Sequence, residues 1–296
     1  METFCRNNCN VCGSSNYKKK FEFSYTSNYV LEKLDIEESP NTYIMICIDC
    51  GHNYAYPQLH HSLLAKYYEV LNSEFFDLDK LPKTDVLFKE HAKVRNLVEQ
   101  NTTNGNILEV GSGYGFLVNG FDTKKWNKYA VEPSPHASRY LRENSKVNIQ
   151  NTTFENAIFK DNYFDVIVLF DVIEHIQNPQ FFFNRIKEIL KPDGYVYIGT
   201  GNIESLNAKI AQKHWAYFGS WEHISFFTKK SIKFLLSSND MKLVKIVKRP
   251  YKIGFHNYSS FFKNIVKCFL KLFSSEPRVN VLTNDHVTII AKKIEH

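Results

Sequence analysis

The sequence predicts an α/β protein: a doubly wound, mostly parallel seven-stranded sheet, preceded by a small cysteine-rich module. Three observations carry this. Short apolar runs at 106–110, 128–132, 147–150, 164–170 and 194–200 alternate with helix-like stretches near 115–121, 135–144 and 179–190, the rhythm of strand–helix–strand units. The run Ile107-Leu108-Glu109-Val110-Gly111-Ser112-Gly113-Tyr114-Gly115 puts three glycines on alternate positions between a strand and the expected helix. Near the N-terminus, Cys9-Asn10-Val11-Cys12-Gly13 and Cys47-Ile48-Asp49-Cys50-Gly51 repeat one Cys-x-x-Cys-Gly pattern.

Composition bounds the alternatives. The 296 residues are enough for one large or two modest domains. A hydrophobic content of 43% with 23% charged residues is that of a globular chain and excludes general disorder. The formal charge of +6 is mild; it fits scattered surface lysines as well as an anionic substrate. No basic stripe interleaved with aromatics is present, so no nucleic-acid partner is expected. Met1 to Cys9 lacks an apolar targeting region, and the most apolar stretch, 163–173, is too short for a bilayer. The expected location is cytoplasmic, where paired cysteines favour a metal over disulfides.

Cys9, Cys12, Cys47 and Cys50 are the soft tetrahedral donor set of a structural Zn²⁺, with no position left open for chemistry. A β-hairpin (Lys20–Tyr25 with Thr42–Cys47) is expected between the two knuckles, giving a zinc-ribbon module over 1–57. So small a segment buries too little to fold alone, and metal would supply its stability. Cys5 is a bystander. Residues 58–84 read as a helical linker, with Leu63, Leu64, Tyr67, Tyr68 and Leu71 at helical spacing. Asp85 to Gln100 is a further helix opening the larger domain, 85–296.

The glycine turn holds a ligand, because glycine admits both sharp turning and close approach. A dinucleotide loop normally has G-x-G-x-x-G spacing. Here the spacing is Gly111-x-Gly113-x-Gly115, and Glu109 just before it suits an ammonium-bearing ligand better than a pyrophosphate. The E-x-G-x-G-x-G pattern resembles the first motif of class I S-adenosylmethionine-dependent methyltransferases. Glu132 ending Lys128–Glu132, the Phe164–Phe170 strand with Asp171, Glu174 and His175, and the Lys191-Pro192-Asp193-Gly194 turn match that family in order. The resemblance implies a Rossmann-like methyltransferase fold with S-adenosylmethionine held by Glu109, Gly111, Ser112, Gly113, Gly115, Glu132 and Asp171. Glu132 would take the ribose. The family's adenine-binding Asp is replaced by Thr153, which offers only a neutral partner. A tyrosine-bearing segment before the core covers the cofactor in the resembling enzymes; Tyr67 and Tyr68 either do this or pack the ribbon onto the core.

The aromatic stretch Lys213–Thr228 follows the fifth strand and is expected to form the acceptor pocket. Its Glu222-His223-Ile224-Ser225-Phe226-Phe227-Thr228 segment is similar to one in methyltransferases acting on sugars. That likeness implies His223 as a base oriented by Glu222, and a nucleotide sugar or glycan precursor as the small-molecule acceptor. The competing role for His223 is to cap the 228–238 helix or pack beneath the loop; for His175 it is purely structural. Lys242–Lys248 and His286–Lys292 complete the sheet, the last strand antiparallel. Ser259–Phe273, within an insertion at 258–274, is amphipathic, with Phe262, Ile265 and Phe269 opposite Lys263, Lys267 and Lys271. Such a helix either makes peripheral membrane contact, receiving a lipid-linked acceptor, or packs on its own protein. A non-catalytic binding protein on the same fold is the rival from another class.

Overall fold

The computed structural model describes residues 4–5, 8–25, 28–70, 84–252 and 282–294. The amphipathic stretch 259–273 and Cys268 therefore lie outside the described residues. The N-terminal part comprises β1 (Phe4–Cys5), β2 (Tyr17–Phe23), α1 (Tyr29–Lys33), β3 (Thr42–Cys47), β4 (Asn53–Tyr56), β5 (Gln58–Leu59) and α2 (His61–Val70). The larger part runs α3 (Thr84–Glu99), β6 (Gly105–Val110), β7 (Trp126–Val131), α4 (Pro135–Asn144), β8 (Asn148–Gln150), β9 (Phe164–Phe170), α5 (Pro179–Ile189) and β10 (Leu190–Gly201). It ends with α6 (Leu206–Ala211), β11 (Ser225–Phe226), α7 (Lys229–Ser237), β12 (Met241–Lys252) and β13 (Leu282–Lys293).

The main sheet has seven strands in the order β12-β13-β10-β9-β6-β7-β8. β10, β9, β6, β7 and β8 are parallel, and β13 runs antiparallel to both its neighbours. Strands covered on both faces read as continuous apolar runs rather than alternations; Phe164-Asp165-Val166-Ile167-Val168-Leu169-Phe170 is one, with Val166 to Leu169 fully buried. One face packs under α3 and α4 through Val94, Val98, Leu141 and Ile107. The other packs under α5 and α7 through Phe182, Phe183, Ile186, Ile232 and Leu235.

Helix starts follow their caps. Ser134 and Asn178 accept from the N–H groups of Ala137 and Phe181, each with a proline at the first helical position. Thr228 and Ser231 form a reciprocal capping box that opens α7.

Most boundaries move by a few residues from the sequence reading, and two departures change an element. The helix expected at 115–121 is only a single 3₁₀ turn, Val118–Gly120. Gly120 N and Phe121 N donate to Leu117 O (3.2 Å) and Val118 O (3.3 Å), the three-residue reach of a 3₁₀ turn, and Phe121 leaves that turn extended. The fifth strand begins at Leu190, not 194, with the Lys-Pro-Asp-Gly turn taken up as a register shift between Leu190 and Tyr195.

The expected hairpin is present: β2 pairs antiparallel with β3, from Tyr17↔Cys47 to Phe23↔Thr42. The small sheet has the order β11-β4-β3-β2. Its outer strand β11 is contributed by residues 225–226, immediately after His223, so the ribbon and the larger domain share one sheet. Their cores are also continuous, since Cys9, Val11, Cys47, Cys50 and Tyr54 belong to the same buried cluster as α5 and α7.

Candidate active site

The candidate donor crevice is the region at the carboxyl ends of β6, β7 and β9, where doubly wound sheets bind ligands. Gly111 turns the chain away from β6 at φ 66°, and a Cβ there would stand 2.5 Å from Val172 Cγ2. Gly115, at φ 72°, would put a Cβ 2.4 Å from Leu141 Cδ1. Both positions need a left-handed backbone and no side chain. Glu132 spans the turn, accepting from Gly113 N (2.7 Å) and Ser134 N (2.8 Å). Burial raises its pKa, offset by those two N–H groups.

Glu109 is buried and accepts from Val118 N at 2.9 Å. Burial pushes its carboxyl up to about 8, against the pull of that N–H; the charge of Glu132 adds to the rise and Arg95 opposes it. Ser112 Oγ is buried and meets no hydrogen-bond partner among the described residues, as expected of a group waiting for a ligand. Thr153 is half-buried at the edge of a 3₁₀ turn, Phe154–Asn156, and its side chain makes no capping bond. Asn151, which the sequence reading passed over, ties this loop to the β7 end by donating to Glu132 O (2.9 Å) and Pro133 O (3.0 Å).

On the opposite side Asp171 directly follows β9, in the left-handed region at φ 54°. Glu174 is fully buried. Its carboxyl accepts from Thr200 Oγ1 (3.0 Å) and from the Tyr217 hydroxyl, which itself accepts from Gly201 N at 2.9 Å. Burial first, then the charge of Asp171, pushes Glu174 up to about 8. The rings of His175 and His223 meet at 4.9 Å, and His223 Nδ1 lies 2.7 Å from Tyr217 O. A carbonyl only accepts, so Nδ1 carries the proton and Nε2 is the basic nitrogen. Burial, reinforced by the charge of His223, lowers His175 to about 3 and keeps it neutral.

Glu174, His175 and His223 bring possible metal donor atoms within 4.8 Å of one another. Both Glu174 oxygens already accept hydrogen bonds, from Thr200 and Tyr217, while His175 and His223 meet through their rings. Glu222 adjoins Tyr67 of α2, and Tyr68 feels the charges of Glu222, Glu132 and Glu174, which add to the effect of burial in raising its pKa. Tyr67 itself is buried among Val30, Leu31, Leu59, Leu64 and Trp221, with Tyr68 packed against that cluster, so the pair also joins α2 to the rest of the N-terminal part.

The four knuckle cysteines converge apart from this site. Cys9 Sγ is 3.5 Å from Cys50 Sγ, Cys12 Sγ is 3.5 Å from Cys47 Sγ, and all four lie within 4.8 Å of each other. A Zn–S bond of about 2.3 Å requires tetrahedral sulfurs about 3.8 Å apart, so the donor set and its spacing fit a zinc ion. Burial, more than any neighbour, pushes the Cys12 thiol up to about 11, so a metal would have to displace protons.

A family model described as a methyltransferase domain matches residues 86–246, more than half of the chain. The chain belongs to this family. The resemblance read from the glycine turn onward is therefore upheld, and the seven-stranded Rossmann-like sheet is the fold it implied. Relatives include the ubiquinone biosynthesis O-methyltransferase of Rickettsia felis, 31% identical over 121 residues, 37% of this chain and 49% of that protein. The mitochondrial ubiquinone biosynthesis O-methyltransferase of Dictyostelium discoideum is 32% identical over 113 residues, 33% and 35% of the two chains. The chain thus spans about half or less of the curated relatives it matches. Among solved structures, a SAM-dependent methyltransferase from Archaeoglobus fulgidus aligns at TM-score 0.52 with 16% identity, covering 75% of this chain and all of that one. The YcgJ protein of Bacillus subtilis aligns at TM-score 0.51 with 13% identity, covering 70% of this chain and 100% of that one. These likenesses show the shared fold.

In this chain Glu109, Gly111, Ser112, Gly113, Gly115 and Glu132 lie at the carboxyl ends of β6 and β7, Asp171 follows β9, and Glu222 and His223 lie in the 213–228 loop, with the His223 ring against His175. Thr153 stands at the edge of the 3₁₀ turn Phe154–Asn156. Tyr217, Thr200, Asn151 and His286 were missed; His286 Nε2 lies 3.8 Å from Asp171 Oδ1 and its ring abuts Tyr217 at 5.4 Å. The density of aromatics in 213–228 was the available signal for Tyr217. Nothing local marks Thr200 or His286, which enter through strand register.

Proposed function

We propose that this chain transfers a methyl group from S-adenosylmethionine to a hydroxyl of a small-molecule acceptor, with His223 as the base. The tautomer of His223 carries the reading: with Nδ1–H held by Tyr217 O, Nε2 is left to receive the acceptor's proton. When bound, S-adenosylmethionine supplies an electrophilic methyl on a sulfonium. Glu132 suits the ribose hydroxyls, Glu109 and Asp171 the ammonium, Ser112 and the glycine backbone the close approach, and Thr153 the adenine edge. Tyr67 and Tyr68 exclude water above, and Glu222 orients the loop. The acceptor oxygen would receive the methyl group, and its proton would pass to His223 Nε2. Catalysis rests mainly on alignment.

Cys9, Cys12, Cys47 and Cys50 hold a structural Zn²⁺ in the 1–57 ribbon; four protein ligands leave it no catalytic position. A cytoplasmic setting suits these reduced thiols. No helix among the described residues is long and apolar enough to cross a membrane. Peripheral contact through 259–273 stays a proposal.

The sugar or glycan acceptor rests on the 222–228 segment alone. The relatives' names favour instead an O-methyl acceptor from quinone synthesis. Incubation with S-adenosylmethionine and a panel of nucleotide sugars, glycan precursors and phenolic quinone precursors, followed by mass spectrometry, separates these by which compound gains one CH₂. His223→Gln should lower turnover about 10²–10⁴-fold with affinity for S-adenosylhomocysteine unchanged. Unaltered turnover removes His223 from the mechanism.

A further inference from the structure

Arg249 plays no part in the site as described, yet its guanidinium lies against it. It stands on β12 directly opposite His286 of β13, which in turn stands opposite Gly201 of β10. Directly opposed residues share one face of a sheet, so the three form a row across it. Two glycines clear that face: a Cβ on Gly199 would stand 2.0 Å from the Phe170 ring, and one on Gly201 2.3 Å from the Tyr217 ring. The Arg249 side chain reaches across this gap, and its Cζ lies 4.9 Å from the centre of the Phe170 ring, at the last residue of β9.

The guanidinium is there without an answer. Its Nε and Nη2 are buried and meet no hydrogen-bond partner among the described residues. The nearby carboxylates are engaged or turned elsewhere. Asp285 accepts from Ser205 Oγ at 2.8 Å and from Asn207 Nδ2 at 2.5 Å, and Asp171 lies beside His286. His91, on the covering helix α3, is lowered to about 4 by burial and by the charges of Arg95 and Arg249, so it adds no cation. A buried guanidinium fork with two idle donors is costly unless an oxyanion completes it. The next residue after Phe170 is Asp171, which the proposed function gives to the donor's ammonium. Asp171, whose Oδ1 lies 3.8 Å from His286 Nε2, and Arg249, the register partner of His286, flank that histidine, and a carboxylate and a guanidinium so placed complement the two charges of an α-amino acid.

We propose that Arg249 binds the carboxylate of the donor's methionine end, the counterpart to Asp171 at the ammonium. The assignment rests on the donor crevice proposed above. It is tested by titration calorimetry on the full chain with two probes: S-adenosylhomocysteine, and 5′-methylthioadenosine, which keeps the nucleoside and sulfur but lacks the amino acid. Arg249→Met should bind S-adenosylhomocysteine at least about tenfold more weakly, with 5′-methylthioadenosine unchanged and Arg249→Lys in between. Retained S-adenosylhomocysteine affinity in Arg249→Met overturns the assignment. Equal loss of both probes also overturns it, since Arg249 would then only support the fold. If the wild type binds neither probe, the donor crevice itself falls; if it binds both, only Arg249 is at issue.

Discussion

Glu109 gives the donor crevice a measurable proton signature. Burial holds its carboxyl at about 8 in the free protein, so at pH 7 only about one molecule in ten is ionised. Ionising it there costs about 1.4 kcal/mol. An ammonium about 4 Å away returns about 4 kcal/mol at an effective dielectric of 20, so the ionised form wins once a cationic ligand is seated. Binding of S-adenosylmethionine should then release about 0.9 proton from Glu109. The ligand's own amine, about one tenth deprotonated at pH 7, takes back about 0.1. The expected net release is about 0.8 proton per site. It is read from calorimetric enthalpies in phosphate and in Tris at pH 7, whose ionisation heats differ widely. Glu109→Gln keeps an acceptor for Val118 N but has no proton to lose, and its release should vanish. A wild-type release below about 0.2, or the same release in the variant, would refute the placement of a cation beside Glu109.

Gly111→Ala meets Val172 Cγ2 at 2.5 Å with a left-handed backbone. It should lose at least about 1–2 kcal/mol of folding stability from backbone strain alone; urea unfolding checks it, and an unchanged midpoint would contradict the left-handed turn. Native mass spectrometry should find one zinc ion per chain, and Cys47→Ser should lose it along with about 10 °C or more of melting temperature. Tyr217→Phe removes one of the two side-chain donors to the buried Glu174 carboxyl and should cost about 1–3 kcal/mol in urea unfolding.

Much of the sheet was legible because doubly covered strands write themselves as uninterrupted apolar runs; 164–170 was read to the residue. The glycine turn was legible for a related reason, since few residues survive a left-handed backbone pressed against Val172. The helix after that turn was misread because the amides of Gly120 and Phe121 reach back only three residues, to Leu117 O and Val118 O, and the chain turns extended at Phe121, a backbone choice that no side chain in 115–121 announces. The acceptor wall was half legible. Glu222 and His223 sit in a contiguous segment, but what fixes the His223 tautomer is a backbone oxygen, and a backbone oxygen has no sequence signature. Thr200, His286 and Arg249 reach the crevice only because β10, β13 and β12 lie in register, a pairing that closes over long separations.

The strand Ser225–Phe226 has a consequence for anyone dividing this protein. Ser225 and Phe226 pair with Tyr54 and Asn53, Ile224 O accepts from Ala55 N at 3.0 Å, and Ile224 N donates back to Glu174 O at 2.9 Å. The stitch thus runs from the cysteine knuckles, through the residue after His223, to the acid at the heart of the crevice. Trimming away residues 1–57 would not yield a leaner catalyst. It would remove the strand with which Ser225 and Phe226 pair and, on the roles proposed for His223 and the cysteines, would join the fate of the metal site to that of the catalytic loop.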